Sequence, residues 1–208
     1  MKIIVGLGLP GSGKSGQLSR LSGLGYKHIS SSNLLTEHFC QKSFPTENDD
    51  AVYCMKNGTL VCDDVMLSLL SSKILEHIEL YNNNLSTEGI AIDGFPRTLS
   101  QAKMLDEFLN AHQLSISHSI LFDISEKTST QRTSTRRTGT ERNDNGYSPT
   151  KRRQATYNEH IGQIIDMYNN QDKLTVIDAE KPKQETRKDL IKTILPYNNV
   201  PNHLLDTN

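Results

Sequence analysis

Residues 8–15, which decide the fold, read Gly8-Leu9-Pro10-Gly11-Ser12-Gly13-Lys14-Ser15. They fit the pattern G-x-x-x-x-G-K-[ST] and directly follow the apolar run 3–7. A buried strand that runs into a glycine-rich turn lets backbone N–H groups face an anion. The helix expected to start near Gly13 adds the positive end of its dipole, and Lys14 adds a mobile cation. The stretch therefore predicts a phosphate-binding loop, or P-loop, for a nucleoside triphosphate. The alternative is a turn that only joins a strand to a helix, and such a turn has no need of the lysine and the hydroxyl.

The length and the charge of the chain narrow the classes of protein that it can belong to. Its 208 residues suit one α/β domain with small insertions. The formal net charge of −1 gives no general attraction to nucleic acid or to an anionic membrane. No apolar run approaches the roughly 18 residues of a membrane span. We therefore expect neither a nucleic-acid partner nor a membrane partner.

The N-terminus and the cysteines favour a cytoplasmic location. The first residues lack a signal-peptide pattern, because a short strand and the P-loop directly follow Lys2. The cysteines are odd in number and none forms a C-x-x-C pair, so neither a disulfide framework nor a structural zinc site is predicted. Ordinary thiols in a reducing compartment are the better interpretation. The cysteines are Cys40, Cys54 and Cys62.

Strand-like and helix-like segments alternate along the whole chain. The predicted strands are 2–7, 27–30, 89–93, 117–124 and 174–178. The predicted helices are 13–23, 31–42, 47–57, 62–81, 98–112, 126–137, 150–170 and 183–195. This order predicts a parallel sheet flanked by helices, with ligands at the carboxyl ends of the strands. The asparagine-rich and proline-rich end of the chain predicts a poorly ordered tail.

A second motif, Asp93-Gly94-Phe95-Pro96-Arg97-Thr98, follows a buried strand. An aspartate in that position can hold Mg²⁺, directly or through water, beside a bound nucleotide. Arg97 adds a planar cationic fork, and Gln101 adds an amide that can read a base edge from the next helix. The alternative is a strand-to-helix turn with a surface arginine, and the P-loop earlier in the chain argues against it.

Together the two motifs resemble the adenylate kinase family of nucleoside monophosphate kinases. The family's H-I-S-T-G-D-x-L, M-x-x-G-x-L-V-P-D and R-x-D-D patterns have counterparts in the same order across nearly the whole chain. Those counterparts are residues 28–35, 55–63 and 142–145, followed by Arg152-Arg153 and Tyr157. Each later motif is weak alone, and their shared order makes the resemblance specific.

The resemblance implies a P-loop NTPase fold, with a three-layer α/β/α core around a five-stranded parallel sheet. A small helical lobe would bind the monophosphate acceptor, and a short lid would close over the donor. The implied divisions are core 1–30, acceptor lobe 31–60, core 61–137, lid 138–149, core 150–195 and tail 196–208. The lid has none of the metal ligands found in the zinc-bearing lids of some relatives, so no zinc is expected.

The resemblance also assigns site residues. Phosphoryl transfer relies on fixed cations around the moving group, and these would be Lys14, Arg97, Arg136, Arg142 and Arg153. The ATP site would comprise Gly11, Ser12, Gly13, Lys14, Ser15, Gly16, Arg132, Arg136 and Lys181. The acceptor site would comprise Ser31, Thr36, Thr59, Leu60, Val61, Gly94, Arg97, Gln101, Arg142 and Arg153. The Mg²⁺ that accompanies ATP would be held by Asp93, through water, and by Ser15.

The segment 126–153, which holds most of these arginines, has two other interpretations. It could be a solvated helix face or a patch for nucleic acid. Tyr147 is the only aromatic residue inside it and Tyr157 follows four positions later, and so few aromatic residues argue against a patch that binds RNA by stacking. The motifs on both sides of the segment favour the lid.

The sequence departs from the family pattern mainly on the acceptor side. Thr36 stands where the family has an arginine that grips the monophosphate. In addition, the hydroxyl of the P-loop is shifted by one position, to Ser15, and Asn145 replaces one of two paired acids. We expect a weakened monomeric kinase that converts ATP and AMP to two ADP. A kinase for UMP, CMP or another monophosphate is one alternative, and a catalytically weak nucleotide-binding protein is the other.

Overall fold

A five-stranded parallel sheet forms the centre of the molecule. The computed structural model describes residues 1–41, 53–54, 57–83, 88–135 and 149–195. Within them the strand order is β2-β3-β1-β4-β5. The strands are β1 (Lys2–Leu7), β2 (Tyr26–Ser30), β3 (Gly89–Asp93), β4 (Ile116–Asp123) and β5 (Leu174–Asp178). The predicted fold class is confirmed, and each predicted strand is present with ends that differ by one residue at most.

Helices connect the strands and cover both faces of the sheet. In the described residues they are α1 (Lys14–Ser19), α2 (Ser31–Gln41), α3 (Asp63–Asn82), α4 (Leu99–Ala111), α5 (Glu126–Thr135), α6 (Pro149–Asn170) and α7 (Lys183–Ile194). The first predicted helix, 13–23, is wrong in its length, because α1 gives way to a 3₁₀ helix at Arg20–Leu24. Ser22 and Gly23 are weak helix formers, and Gly25 ends the turn with a φ of 79°.

Successive side chains of the central strands point to opposite faces of the sheet and pack into two separate hydrophobic cores. Ile3 and Val5 of β1 face the core formed with α3, α4 and α6, whereas Ile4 faces the core formed with α1 and α7. All three are fully buried. Burial of such a side chain contributes about 1.5–3 kcal/mol. A strand with apolar side chains on both faces is typical of a parallel sheet between two helical layers.

The register of the sheet brings three predicted site segments to one edge. Gly6 of β1 and Ser30 of β2 both pair with Asp93 of β3. The P-loop after β1, the start of α2 after β2 and the Asp93 motif after β3 therefore meet at the carboxyl ends of neighbouring strands.

Several predictions fall partly or wholly outside the described residues. They are the helix at 47–57, the lid at 138–149 (of which only Pro149 is described, as the start of α6), the tail at 196–208 and the thiol of Cys40. Cys54 and Cys62 are free thiols. In the part of the chain that the structure describes, no helix has the length and apolar character needed to cross a bilayer.

Candidate active site

The P-loop joins β1 to α1 and is held in place by its own backbone and by α5. Gly13 has a φ of 84°, a left-handed conformation that favours glycine, and α1 begins at the next residue, Lys14. The Ser129 hydroxyl of α5 donates a hydrogen bond to the Pro10 carbonyl at 2.6 Å. Glycine geometry and this anchor together define the shape of the loop.

A cavity of about 440 Å³ lies between the P-loop and the ends of β2 and β3. Its volume is in the range of small-molecule sites. It is lined by residues from both the predicted ATP site and the predicted acceptor site, namely Gly11, Gly13, Lys14, Ser15, Ser31, Thr59, Leu60, Val61, Asp93, Gly94, Arg97, Gln101 and Arg153. The fold thus brings residues that are distant in the sequence to one space.

Asp93 ends β3 in the wall of this cavity and is only 4% exposed. Burial opposes ionisation, but the His28 ring, the Lys14 ammonium and the Ser15 hydroxyl outweigh it, so the pKa of Asp93 is lowered. Its Oδ1 accepts no hydrogen bond, and its Oδ2 lies 3.8 Å from His28 Nε2. An ionised carboxylate with an unpartnered oxygen beside a hydroxyl suits a hard cation such as Mg²⁺.

No cluster of three or more His, Cys, Asp or Glu side chains in the described ranges could hold a metal ion by itself. Mg²⁺ commonly binds through one or two carboxylates together with substrate phosphates, and it keeps several waters. Asp93 and Ser15 therefore fit an ion that is shared with a nucleotide.

Arg97 extends from the loop after β3 and is fixed at three points. Its Nε donates to the Gly94 carbonyl at 2.7 Å, and its terminal nitrogen lies 3.4 Å from Ser31 Oγ. Its backbone N–H donates to Gln101 Oε1 at 2.8 Å. Gly94 has a φ of 80°, and a Cβ there would collide with Ser31 Oγ, so the approach of these two segments requires glycine.

The positive charge of Arg97 lies close enough to that of Arg153 for the two to repel each other. Burial lowers the pKa of Arg97, and the positive charge of Arg153 lowers it further, while Asp93 opposes the shift. Arg153 lies on α6 and lines the same cavity. Two guanidinium groups that face one partly desolvated space form a site for an anion such as a phosphate.

The side chain of Gln101 is held in place by hydrogen bonds. It is 2% exposed, and its Nε2 donates to Asp63 Oδ1 at 2.7 Å. Its backbone N–H donates to Thr98 Oγ1, which caps α4. The sequence predicted the position of Gln101 but gave no role to Asp63.

Arg132 and Lys181, both predicted for the ATP site, lie outside the cavity lining. Arg132 of α5 donates to the carbonyls of Ala179 at 2.9 Å and Glu180 at 3.5 Å. Lys181 is exposed, and its ammonium pairs with Asp189 at 3.0 Å. Arg132 and the loop after β5 are therefore neighbours, and their contact with an adenine ring stays a prediction.

Other predicted residues are also not brought to the cavity. Thr36 is exposed, and its hydroxyl donates to the Ser32 carbonyl at 2.9 Å. Ser12 is buried with a hydroxyl that lacks a partner, and Gly16 is exposed on α1. None of these three lines the cavity. Arg136 and Arg142 lie outside the described residues.

The structure adds cavity residues that sequence reasoning missed. Thr156, Ile161 and Ile164 line the cavity from α6, together with Arg153 and Tyr157. Their spacing from Arg153 is close to whole turns of a helix, so they share its face. That periodicity was the available signal.

A P-loop, an adjacent carboxylate and convergent arginines at the carboxyl edge of a parallel sheet define a nucleotide-binding phosphotransferase site. The family model for adenylate kinase matches residues 6–173. An adenylate kinase of Corynebacterium urealyticum is 34% identical to this chain, over 86% of the chain and 91% of that protein. An adenylate kinase of a Synechococcus strain is 30% identical, over 84% and 88%. An adenylate kinase of Thermus thermophilus is 29% identical, over 79% and 82%.

The chain therefore belongs to the adenylate kinase family and is a phosphotransferase. The resemblance found from the motifs alone is confirmed.

Proposed function

We propose that this protein transfers the γ-phosphoryl group of ATP to AMP and releases two ADP. The observation that carries the proposal is the shared cavity, in which Lys14 of the P-loop, Asp93, Arg97 and Arg153 all face one space. The names of the relatives support ATP and AMP as the nucleotides.

The reaction needs the two phosphate groups in line rather than a covalent role for the protein. An anionic oxygen of the AMP phosphate forms a bond to the γ-phosphorus of ATP. The bond from that phosphorus to the oxygen of the leaving ADP breaks. Lys14 would neutralise charge on the donor phosphates, and Arg97 and Arg153 would neutralise charge between donor and acceptor.

Asp93 and Ser15 would hold the Mg²⁺ of the ATP complex, which supplies charge neutralisation at the phosphoryl oxygens. The lowered pKa of Asp93 keeps its carboxylate ionised at neutral pH, as such a role requires. The apolar face of α6, with Ile161 and Ile164, would exclude water from the cavity and so limit hydrolysis of ATP.

The acceptor side has fewer cations than the family pattern provides. Thr36 stands in place of an arginine, and in the described residues the arginines that line the cavity are Arg97 and Arg153. Loss of one charged hydrogen bond to a phosphate costs about 1.5–3 kcal/mol. Because Arg97 and Arg153 still line the cavity, we expect a KM for AMP up to about tenfold above that of a variant with the arginine restored.

A panel of acceptors tests the proposal. ADP formation is measured with ATP, Mg²⁺ and each of AMP, GMP, CMP and UMP, and AMP is expected to give the highest kcat/KM. A higher value with CMP or UMP would replace AMP as the acceptor. ATP binding with no transfer to any of the four would instead indicate a nucleotide-binding protein without kinase activity.

A cytoplasmic location, a monomeric state, the absence of nucleic-acid and membrane partners, and the division into core, acceptor lobe and lid stay predictions. Gel filtration with light scattering tests the monomer.

A further inference from the structure

The side-chain amide of Gln101 can adopt only one orientation. Its oxygen accepts from the backbone N–H of Arg97 at 2.8 Å, and its nitrogen donates to a carboxylate oxygen of Asp63 at 2.7 Å. A backbone N–H can only donate, and an ionised carboxylate can only accept. A rotation of the amide by 180° would therefore break both hydrogen bonds. It would place the amide nitrogen against the Arg97 N–H and the amide oxygen against the Asp63 carboxylate. Gln101 is only 2% exposed, so solvent has little access to the amide to compensate for their loss.

This arrangement leaves Gln101 with one N–H and one lone pair for the cavity that it lines. The positions of these two groups are fixed relative to each other and to Arg97. A purine with an amino group and an unprotonated neighbouring ring nitrogen, such as adenine, presents the complementary donor and acceptor. A purine with a carbonyl and a protonated ring nitrogen, such as guanine, presents the reverse pair, which would fit only the rotated amide.

We propose that Asp63 is a positioning residue that sets the base selectivity of the acceptor site by orienting Gln101. The proposal rests on the proposed function, because it takes the cavity to be the acceptor site. Asp63 is the first residue of α3, and Gln101 lies 38 positions later on α4. The hydrogen bond thus ties the helix that follows the predicted acceptor lobe to the segment that carries Arg97.

The same network separates base recognition from phosphate recognition. Gln101 is held by the backbone of Arg97, whereas the Arg97 side chain is held by Gly94 and Ser31. Removal of the Asp63 carboxylate loosens the amide but leaves those guanidinium contacts in place. The expected signature is therefore a change in which base is accepted, with little change in kcat for AMP.

The experiment compares Asp63→Ala with Asp64→Ala. Both changes remove an acidic residue from the first turn of α3, so both lose a similar favourable interaction with the helix N-terminus. Asp64 is exposed, and no hydrogen bond joins it to Gln101. Each variant is titrated with AMP and with GMP in calorimetry, and kcat and KM are measured for both acceptors.

Asp63→Ala is expected to lower the preference for AMP over GMP by about tenfold. Loss of one hydrogen bond changes a ratio of affinities by about this factor. Asp64→Ala is expected to keep the wild-type preference. Asp63→Asn is expected to recover part of the preference, because its amide oxygen can accept the same bond. This variant also carries the test if the alanine variant does not fold.

A wild-type preference in both Asp63 variants would overturn the proposal while leaving the kinase assignment intact. An equal loss of the preference for AMP in the Asp63→Ala and Asp64→Ala variants would also overturn it. The loss would then come from removing a negative charge at the N-terminus of α3 rather than from the hydrogen bond to Gln101. A wild-type protein that neither binds nor phosphorylates AMP would instead contradict the proposed function itself.

Discussion

The two halves of the cavity are built in different ways. The proposed donor half is one contiguous loop, whose shape comes from glycine backbone geometry and from a hydrogen bond between Ser129 and Pro10. The proposed acceptor half is assembled from the starts of α2, α3 and α4 and the loop after β3, through side chains such as Ser31, Asp63 and Arg97.

This difference has a consequence for robustness. A loop defined by its backbone keeps its shape through most substitutions of its neighbours. A site held by side-chain hydrogen bonds changes its selectivity when one member changes, because buried polar groups depend on their partners. The sequence departs from the family pattern in both halves, through the shifted P-loop hydroxyl at Ser15 and through Thr36, but the proposed donor half keeps its lysine, Lys14.

The largest effect is expected from Lys14→Met. Loss of the cation proposed to bind the donor phosphates should lower kcat by about a hundredfold to a thousandfold. The thermal unfolding temperature should stay near that of the wild type, because Lys14 lies in the cavity wall rather than in a hydrophobic core. Lys103→Met, at an exposed position on α4, is the matched control and should keep full activity. Near-normal turnover by Lys14→Met would show that the P-loop is not the ATP site.

Arg97→Ala should affect the proposed acceptor half and leave the proposed donor half unchanged. The change removes the guanidinium but keeps the backbone N–H that holds Gln101, so phosphate binding is lost while base selection is kept. The KM for AMP should rise about tenfold to a hundredfold. The KM for ATP and the preference for AMP over GMP should change little.

Steady-state kinetics with both nucleotides varied provides this measurement. Arg20→Ala, which removes an exposed arginine after α1, is the control and should leave both KM values unchanged. If Arg97→Ala instead raised the KM for ATP alone, the assignment of the two halves would be reversed.

The parts that the sequence predicted well are those encoded by neighbouring residues. The apolar runs of β1 and β3 and the P-loop can be read from contiguous residues, because a buried parallel strand and a glycine turn each have a local signature. The hydrogen bond between Asp63 and Gln101 joins residues 38 positions apart, and it exists only because α3 and α4 pack together. The early end of α1 was also not predicted, although Ser22 and Gly23, in the 3₁₀ helix that follows it, are weak helix formers.

A smaller effect is expected from Thr36→Arg, which would restore the residue typical of the family. Ser32 and Leu35 of α2 line the cavity, and an arginine at the adjacent position is long enough to extend toward it. The KM for AMP should fall by up to about tenfold. Asn33→Arg adds the same charge to the same helix, but Asn33 lines a separate, smaller cavity, so this control should leave the KM unchanged. An unchanged KM in Thr36→Arg would mean that position 36 does not face the acceptor phosphate.

The smallest effect concerns the pH dependence of stability at Asp93. The pKa of Asp93 is lowered in the folded state, so the folded protein binds this proton less readily than the unfolded chain does. The resulting stabilisation is present above the ordinary aspartate pKa and is lost as the pH falls through the lowered pKa. Urea unfolding without nucleotide or Mg²⁺, at pH 6, 5, 4 and 3.5, should therefore show that the wild type loses stability relative to Asp93→Asn only near and below about pH 4.

The slope of that difference is limited to about 1.4 kcal/mol per pH unit, because a single proton is involved. Asp64→Asn, which changes an exposed carboxylate outside the cavity lining, is the control. If the wild type and Asp93→Asn kept a constant difference down to pH 3.5, Lys14, Ser15 and His28 would not stabilise the carboxylate. That outcome would mean that Lys14 and Ser15 of the P-loop do not interact electrostatically with Asp93 at the end of β3 when no nucleotide is bound.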